Sequence, residues 1–154
     1  MAVQFLKFNQ ERGMTLVELV VVAALILVLV GVLVPLSDRL VAKNELQAAA
    51  RTIVGYVRLG ESKALAEEDA SFKMRFFPSR NSYRLYFNSR DIRESGEIVL
   101  PKRVSFGGTN FDDDTLRFNA RGTVTQGGTI SLHDKYGDWL YVRVQPVTGR
   151  VVID

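Results

Sequence analysis

The feature that most constrains this chain is an uncharged run. From Leu19 to Leu36 no side chain carries a charge, and nearly all are Val, Leu, Ile or Ala. At 1.5 Å of rise per residue, about 18 such residues in a helix roughly span the hydrocarbon core of a bilayer. Directly ahead of the run stands Arg12-Gly13-Met14-Thr15-Leu16-Val17-Glu18, with four residues between the glycine and the carboxylate. A charge at the head of such a stretch is costly in lipid, about 2.5–3.5 kcal/mol at the bilayer centre and less near an end. Glu18 is therefore a candidate functional residue from the outset.

Three readings of this segment compete. A secretory signal peptide accounts for Lys7 and Arg12 ahead of the apolar run. The run is too long for it, however, and Val34-Pro35-Leu36-Ser37 is a poor cleavage site. A signal anchor accounts for length and orientation, with Lys7 and Arg12 cytoplasmic and the rest of the chain facing outward. It leaves Gly13 and Glu18 without a role. The third reading uses both. Gly13-Met14-Thr15-Leu16-Val17-Glu18, followed by Leu19-Val20-Val21-Val22, resembles the class III signal of type IV pilins and pseudopilins.

That resemblance implies a cut between Gly13 and Met14 by a prepilin peptidase and N-methylation of the new terminus. It also implies that Glu18, the fifth mature residue, pairs with the N-terminal amine of a neighbouring subunit. A carboxylate in lipid is tolerable when a cation satisfies it. The bland alternative is a Glu that snorkels to the headgroups. Pro35 adds to the pattern, because its ring clashes with the carbonyl of Gly31 and weakens the helix there. In the family the corresponding Gly and Pro mark a stretch that loosens on filament packing; taken alone, Pro35 is also compatible with an ordinary transmembrane proline.

The chain has 154 residues, enough for one domain with its own core beside an anchor. Setting aside Lys7, Glu11, Arg12 and Glu18 leaves 18 cations and 15 anions, a mild basic bias. This permits an anionic partner without demanding one. No cysteine is present, which excludes disulfides, thiolate catalysis and Cys-ligated metals.

Four segments follow: a leader over 1–13, a transmembrane and filament-core helix over 14–36, an amphipathic continuation over 37–69, and a β-rich domain over 70–154. After Pro35, Leu36, Leu40, Leu46, Ala49, Ala50, Ile53, Val54 and Val57 share one face, with Gly55 and Gly60 as minor interruptions. One helix from Met14 to Glu68 is expected. Beyond Ser71 the period becomes two: Phe72, Met74 and Phe76 alternate with Lys73, Arg75 and Phe77, and Tyr83, Leu85 and Phe87 with Arg84, Tyr86 and Asn88. Further strands are expected at Glu97–Leu100, Val104–Phe106, Thr115–Phe118, Thr129–Leu132, Trp139–Val144 and Arg150–Ile153, separated by segments that include Gly107-Gly108 and Gly127-Gly128. The fold class is α+β: a long N-terminal helix, membrane-spanning in its first half, with antiparallel β-sheets packed on its second half, pilin-like. Arg51–Ala66, Leu116–Thr123, Gly128–Leu132 and Val147–Val151 resemble the GspH/FimT group of minor pilins and pseudopilins.

No catalytic constellation is visible. His133 is the sole histidine and sits where a strand is expected to end; Asp112-Asp113-Asp114 reads as a solvated loop sooner than as a cation site. Neither cofactor nor metal is expected. The partners implied by the resemblance are other pilin or pseudopilin subunits, the prepilin peptidase and the inner-membrane assembly platform, with the C-terminal domain outside the cytoplasm. Nucleic acid is the second reading. Lys73, Arg75, Arg80, Arg84, Arg90, Arg93, Lys102 and Arg103, interleaved with Phe77, Tyr83 and Tyr86, could attract phosphates and stack bases, although outward strand faces carry such cations anyway. Some FimT-like pilins bind DNA through a Gly-Arg-x-Arg motif; here the stretch is Gly149-Arg150-Val151-Val152, without the second arginine. Arg150, Arg143 and Arg121 are the candidate DNA contacts.

Overall fold

The structure, a computed structural model, describes residues 15–68, 70–86, 96–146 and 149–154, with the side chains of 32–36 also outside the description. Gly13, Met14, Phe87, Asn88, Arg90, Arg93, Val147 and Thr148 thus lie outside the described residues. Helix α1 runs Leu16–Glu67, close to the expected span. It ends where Glu68 turns left-handed at φ 50°. Helical geometry continues through Gly31 and Pro35 without a break, so the expected local weakening leaves no interruption. One lost N–H and its bond are tolerated when the turns on either side stay bonded.

The chain divides into two compact units, 1–38 and 39–154. In the first, the apolar side chains from Leu16 to Val30 are mostly exposed. Among the described residues no helix is long and apolar enough to cross a membrane. The expected span over 14–36 draws on Met14 and on the side chains of 32–36, which the description does not reach.

In the second unit α1 buries Ala42, Leu46, Ala49, Ala50, Ile53, Val54, Val57, Gly60 and Ala64. Steps of three and four residues keep this stripe on one face. Two expectations need correction. Leu40 is 58% exposed and does not belong to the stripe, whose first member is Ala42. Gly60 is no interruption either: a Cβ there would come within 2.5 Å of the Phe118 ring, so the missing side chain is what lets that ring lie against the helix. Gly55, by contrast, has open space around it.

Eight strands follow: β1 (Lys73–Phe77), β2 (Ser82–Tyr86), β3 (Ile98–Val99), β4 (Val104–Thr109), β5 (Thr115–Arg117), β6 (Gly128–Asp134), β7 (Trp139–Val144) and β8 (Val151–Ile153). They form two antiparallel sheets, ordered β3-β2-β1-β5 and β4-β6-β7-β8. Each expected strand is present among the described residues; β7 keeps its expected bounds and the others have shifted ends. Gly107-Gly108, expected to separate strands, lies inside β4 at an irregularity in its pairing with β6. The reason is tertiary: Gly107 faces the Trp139 ring of β7, which would collide with any Cβ there.

One core joins the helix stripe to the inner faces of both sheets. Phe76 sits among Tyr83, Phe106 and Phe111 with ring centroids 5.9–6.3 Å apart, and Tyr56 of α1 meets Tyr83 edge-on at 5.7 Å. The turns are held by polar side chains. Asn119 Oδ1 accepts from the backbone N–H groups of Arg121 and Thr123. Buried Asp134 does the same for Tyr136 and Asp138 across the β6–β7 turn. His133 is inside β6, one residue short of its end, with its ring 4.9 Å from that of Trp139.

Gly55 and Gly60 make opposite predictions. Gly55→Ala should raise stability by about 0.5–1 kcal/mol through helix propensity alone. Gly60→Ala should lower it by about 1–3 kcal/mol through overpacking against Phe118. Denaturant titration of the full chain in detergent micelles checks both; a stabilised Gly60→Ala would rule out the ring contact as the reason for the glycine.

Candidate functional site

The helix start carries the first candidate. Thr15 Oγ1 accepts from the Glu18 backbone N–H at 3.2 Å, and the Thr15 carbonyl accepts from the Leu19 N–H at 3.1 Å. Thr15 is thus the N-cap and Glu18 the third helical residue, the spacing of a capping box. Thr-x-x-Glu was legible in the sequence as a helix-start signal. Glu18 is exposed, and its carboxylate sits at the end of the helix where backbone N–H groups favour negative charge. Gly31 lies farther along the helix, with nothing within 4 Å of where a Cβ would be.

The three candidate DNA arginines are exposed, each on a different segment. Arg121 is in the turn held by Asn119. Arg143 is on β7, its Nε 3.3 Å from Asp154 Oδ2. Arg150 precedes β8, where its carbonyl accepts from the Gln145 N–H.

The basic segment read between Phe72 and Arg103 resolves into two groups. Some cations are matched by carboxylates: Arg103 lies 2.9 Å from Glu45 of α1, and Arg80 and Arg84 lie 3.8 and 3.7 Å from Glu97. Others form a grid on the outer face of the first sheet. Lys73 of β1 is directly opposite Tyr86 of β2 on one side and Arg117 of β5 on the other. Arg75 is opposite Arg84 and Thr115. Among the described residues no carboxylate lies within ion-pair distance of Lys73, Arg75 or Arg117. Cross-strand pairs are worth about 0.2–1 kcal/mol each, and like charges directly opposite are destabilising. Arg117 is the member that sequence reading missed, because only the β1–β5 pairing brings it beside Lys73.

Asp112-Asp113-Asp114 forms a tight turn ahead of β5. Asp114 Oδ1 accepts from Thr109 Oγ1 at 2.6 Å. Among the described residues no group of three or more His, Asp or Glu side chains is gathered as a metal site.

Glu61 is half-buried beneath Gly149, whose Cβ would stand 3.3 Å from its carboxylate. Burial pushes its carboxyl above the usual value of 4.5, against the opposing pull of the Arg58 charge.

Residues 8–34 match the family described as the prokaryotic N-terminal methylation motif. No curated protein and no solved structure is a significant match to the chain. The motif supports a type IV pilin-like protein with a prepilin-type N-terminus, which in general assembles with other pilins after processing by the prepilin peptidase. The matched segment takes in Gly13, Met14, Glu18 and Gly31 and stops one residue before Pro35. It does not reach the two sheets.

Because the folded state raises the Glu61 pKa, it holds the proton more tightly than the unfolded chain does. Stability should therefore fall as pH rises through and above 4.5, and be regained below it. Glu61→Gln should melt at a higher temperature than the wild type at pH 7, with the difference closing below pH 4.5. Thermal scans at both pH values check this; a gap that widens in acid would contradict it.

Proposed function

We propose that this chain is a minor pilin or pseudopilin, a structural and assembly subunit of a type II secretion pseudopilus or a type IV pilus. The observation that carries the reading is the methylation motif over residues 8–34, heading a helix whose second half packs under two antiparallel sheets. On this reading the peptidase cuts after Gly13, Met14 is methylated, and the apolar helix holds the subunit in the inner membrane with its sheets outside the cytoplasm. The subunit has no catalysis of its own. It passes through an inner-membrane assembly platform into the filament, where Gly31 and Pro35 mark the stretch that loosens on packing.

Two features of the first unit support assembly. The side chains of Leu16, Leu19, Leu25, Leu27 and Leu29 are all more than half exposed, and an apolar surface of that extent calls for lipid or neighbouring helices to cover it. Glu18 is exposed at the helix start, available to the N-terminal amine of another subunit. A second reading, DNA binding during uptake in the manner of FimT-like pilins, is favoured by the exposure of Arg121, Arg143 and Arg150.

Co-expression with a prepilin peptidase should yield a product beginning at N-methylated Met14, read by intact mass. Gly13→Val should stay full length, while Glu18→Leu should be processed normally yet fail to enter filaments. A wild-type chain left uncut, or a Gly13 variant cut normally, overturns the reading.

A further inference from the structure

We propose that the outer face of the first sheet is a binding surface for single-stranded nucleic acid, with Lys73, Arg75 and Arg117 on phosphates and Tyr86 and Phe77 as stacking rings. The inference is independent of the pilin-like reading, and it sets nucleic-acid contact on a different face from Arg121, Arg143 and Arg150.

β1 is flanked on both sides, so Lys73 and Arg75 each stand opposite another cation, Arg117 and Arg84 respectively. Among the described residues only Arg84 of these four has a carboxylate within ion-pair distance, and that carboxylate, Glu97, lies on its far side from β1, just ahead of β3. Such a face is disfavoured in the free protein and relieved by an anion. Lys73, Arg75 and Arg117 line an open trough of about 450 Å³ together with Tyr86, Thr115 and Asp113, the last being the one carboxylate on its wall among the described residues. Thr115 is already engaged, its hydroxyl donating to the Asp113 carbonyl.

The spacing suits a polymer. Lys73 and Arg75 are alternate residues of one strand, which sets their Cα atoms about 6.6–6.8 Å apart along it. That step is commensurate with an extended phosphodiester chain. The rings set the class of polyanion. Tyr86 stands at one corner of the grid and Phe77 at the diagonal corner, with Arg75 and Lys73 between them. Each ring has two cations near it: Lys73 and Arg84 at 5.5 and 6.0 Å from Tyr86, and Arg75 and Arg80 at 5.6 and 4.5 Å from Phe77. Alternating cations and rings on a flat sheet are what unpaired bases and their phosphates require. An acidic polypeptide would use the cations and leave the rings idle, and a duplex keeps its base faces stacked internally.

The test is fluorescence anisotropy of a labelled 20-residue oligothymidylate with the full chain in non-ionic detergent micelles, across 50–200 mM salt. Wild type should bind, and binding should weaken as salt rises. The variant Lys73→Gln/Arg75→Gln/Arg117→Gln should bind about tenfold or more weakly, with its log–log salt slope smaller by about 2, since each phosphate contact on a single strand contributes about 0.7. Tyr86→Leu should weaken binding about fivefold or more with the salt slope unchanged, because stacking releases no counterions. Arg121→Gln/Arg143→Gln/Arg150→Gln should bind as wild type does. Fluorescence of Trp139, the sole tryptophan and on the other sheet, reports that each variant is folded. As a second handle, Lys73→Glu removes one like-charge pair and should melt higher than wild type while losing binding.

No wild-type binding at 50 mM salt overturns the proposal, as does a triple grid variant that binds normally. Loss of binding in the C-terminal arginine variant alone returns nucleic-acid contact to the second reading. Polyglutamate that competes as well as oligothymidylate identifies an acidic protein instead. A duplex that competes equally removes the single-strand assignment.

Discussion

The second unit depends on one stripe of small and aliphatic residues along α1. Ala42, Ala49, Ala50, Gly60 and Ala64 bring the backbone close to the sheets, while Leu46, Ile53, Val54 and Val57 fill the gaps. Gly60 is the tightest point, since the Phe118 ring occupies the volume a side chain would need. Phe118 follows directly on β5, and its N–H donates to the Phe72 carbonyl just ahead of β1. The helix contact therefore also positions the β1–β5 pairing. Close backbone approach and dense packing make this region intolerant of added volume.

The same pairing determines what the outer face carries. Pleating sends Met74 and Phe76 inward and Lys73 and Arg75 outward, and register then decides their neighbours. If β5 slipped by one residue, Leu116 would turn to solvent and Arg117 to the core. The apolar demand of the inner face thus fixes the cation array on the outer one. Function on that face needs no dedicated loop, because the core sets its geometry.

Much of this was legible in the sequence, for identifiable reasons. Alternation over Phe72–Phe77 and Tyr83–Tyr86 gave strands, because a sheet with one buried face must alternate. The helix was legible from its three-and-four spacing, but spacing alone does not bury a residue: Leu40 stands at a permitted position and is 58% exposed. Gly60 and Gly107 were misread as interruption and separator, because sequence shows that a side chain is missing and only tertiary structure shows which ring uses the space. Arg117 was invisible as a partner of Lys73 for the same reason, being 44 positions away and joined to it only by strand pairing. Local chemistry was available and overlooked in one place, the Thr15–Glu18 capping pair.

That capping pair bears on what cleavage after Gly13 would do. On the proposed reading the cut would fall immediately before Met14; with Thr15 as N-cap, the processed chain would begin one residue ahead of that cap and two ahead of Leu16, the first helical residue. A free or methylated amine at that point places positive charge at the end of a helix that already favours anions. Left alone, the charge would fray the first turn. Glu18, in the third helical position, carries the compensating charge within that turn, and Thr15 closes one of its open N–H groups. On the proposed filament reading, the carboxylate that steadies its own helix end would also meet the amine of an adjacent subunit. Removing it would then cost twice, once in the helix start and once in the filament, and the two losses differ in salt dependence: the exposed cap is screened, whereas a pair enclosed between helices in lipid is not.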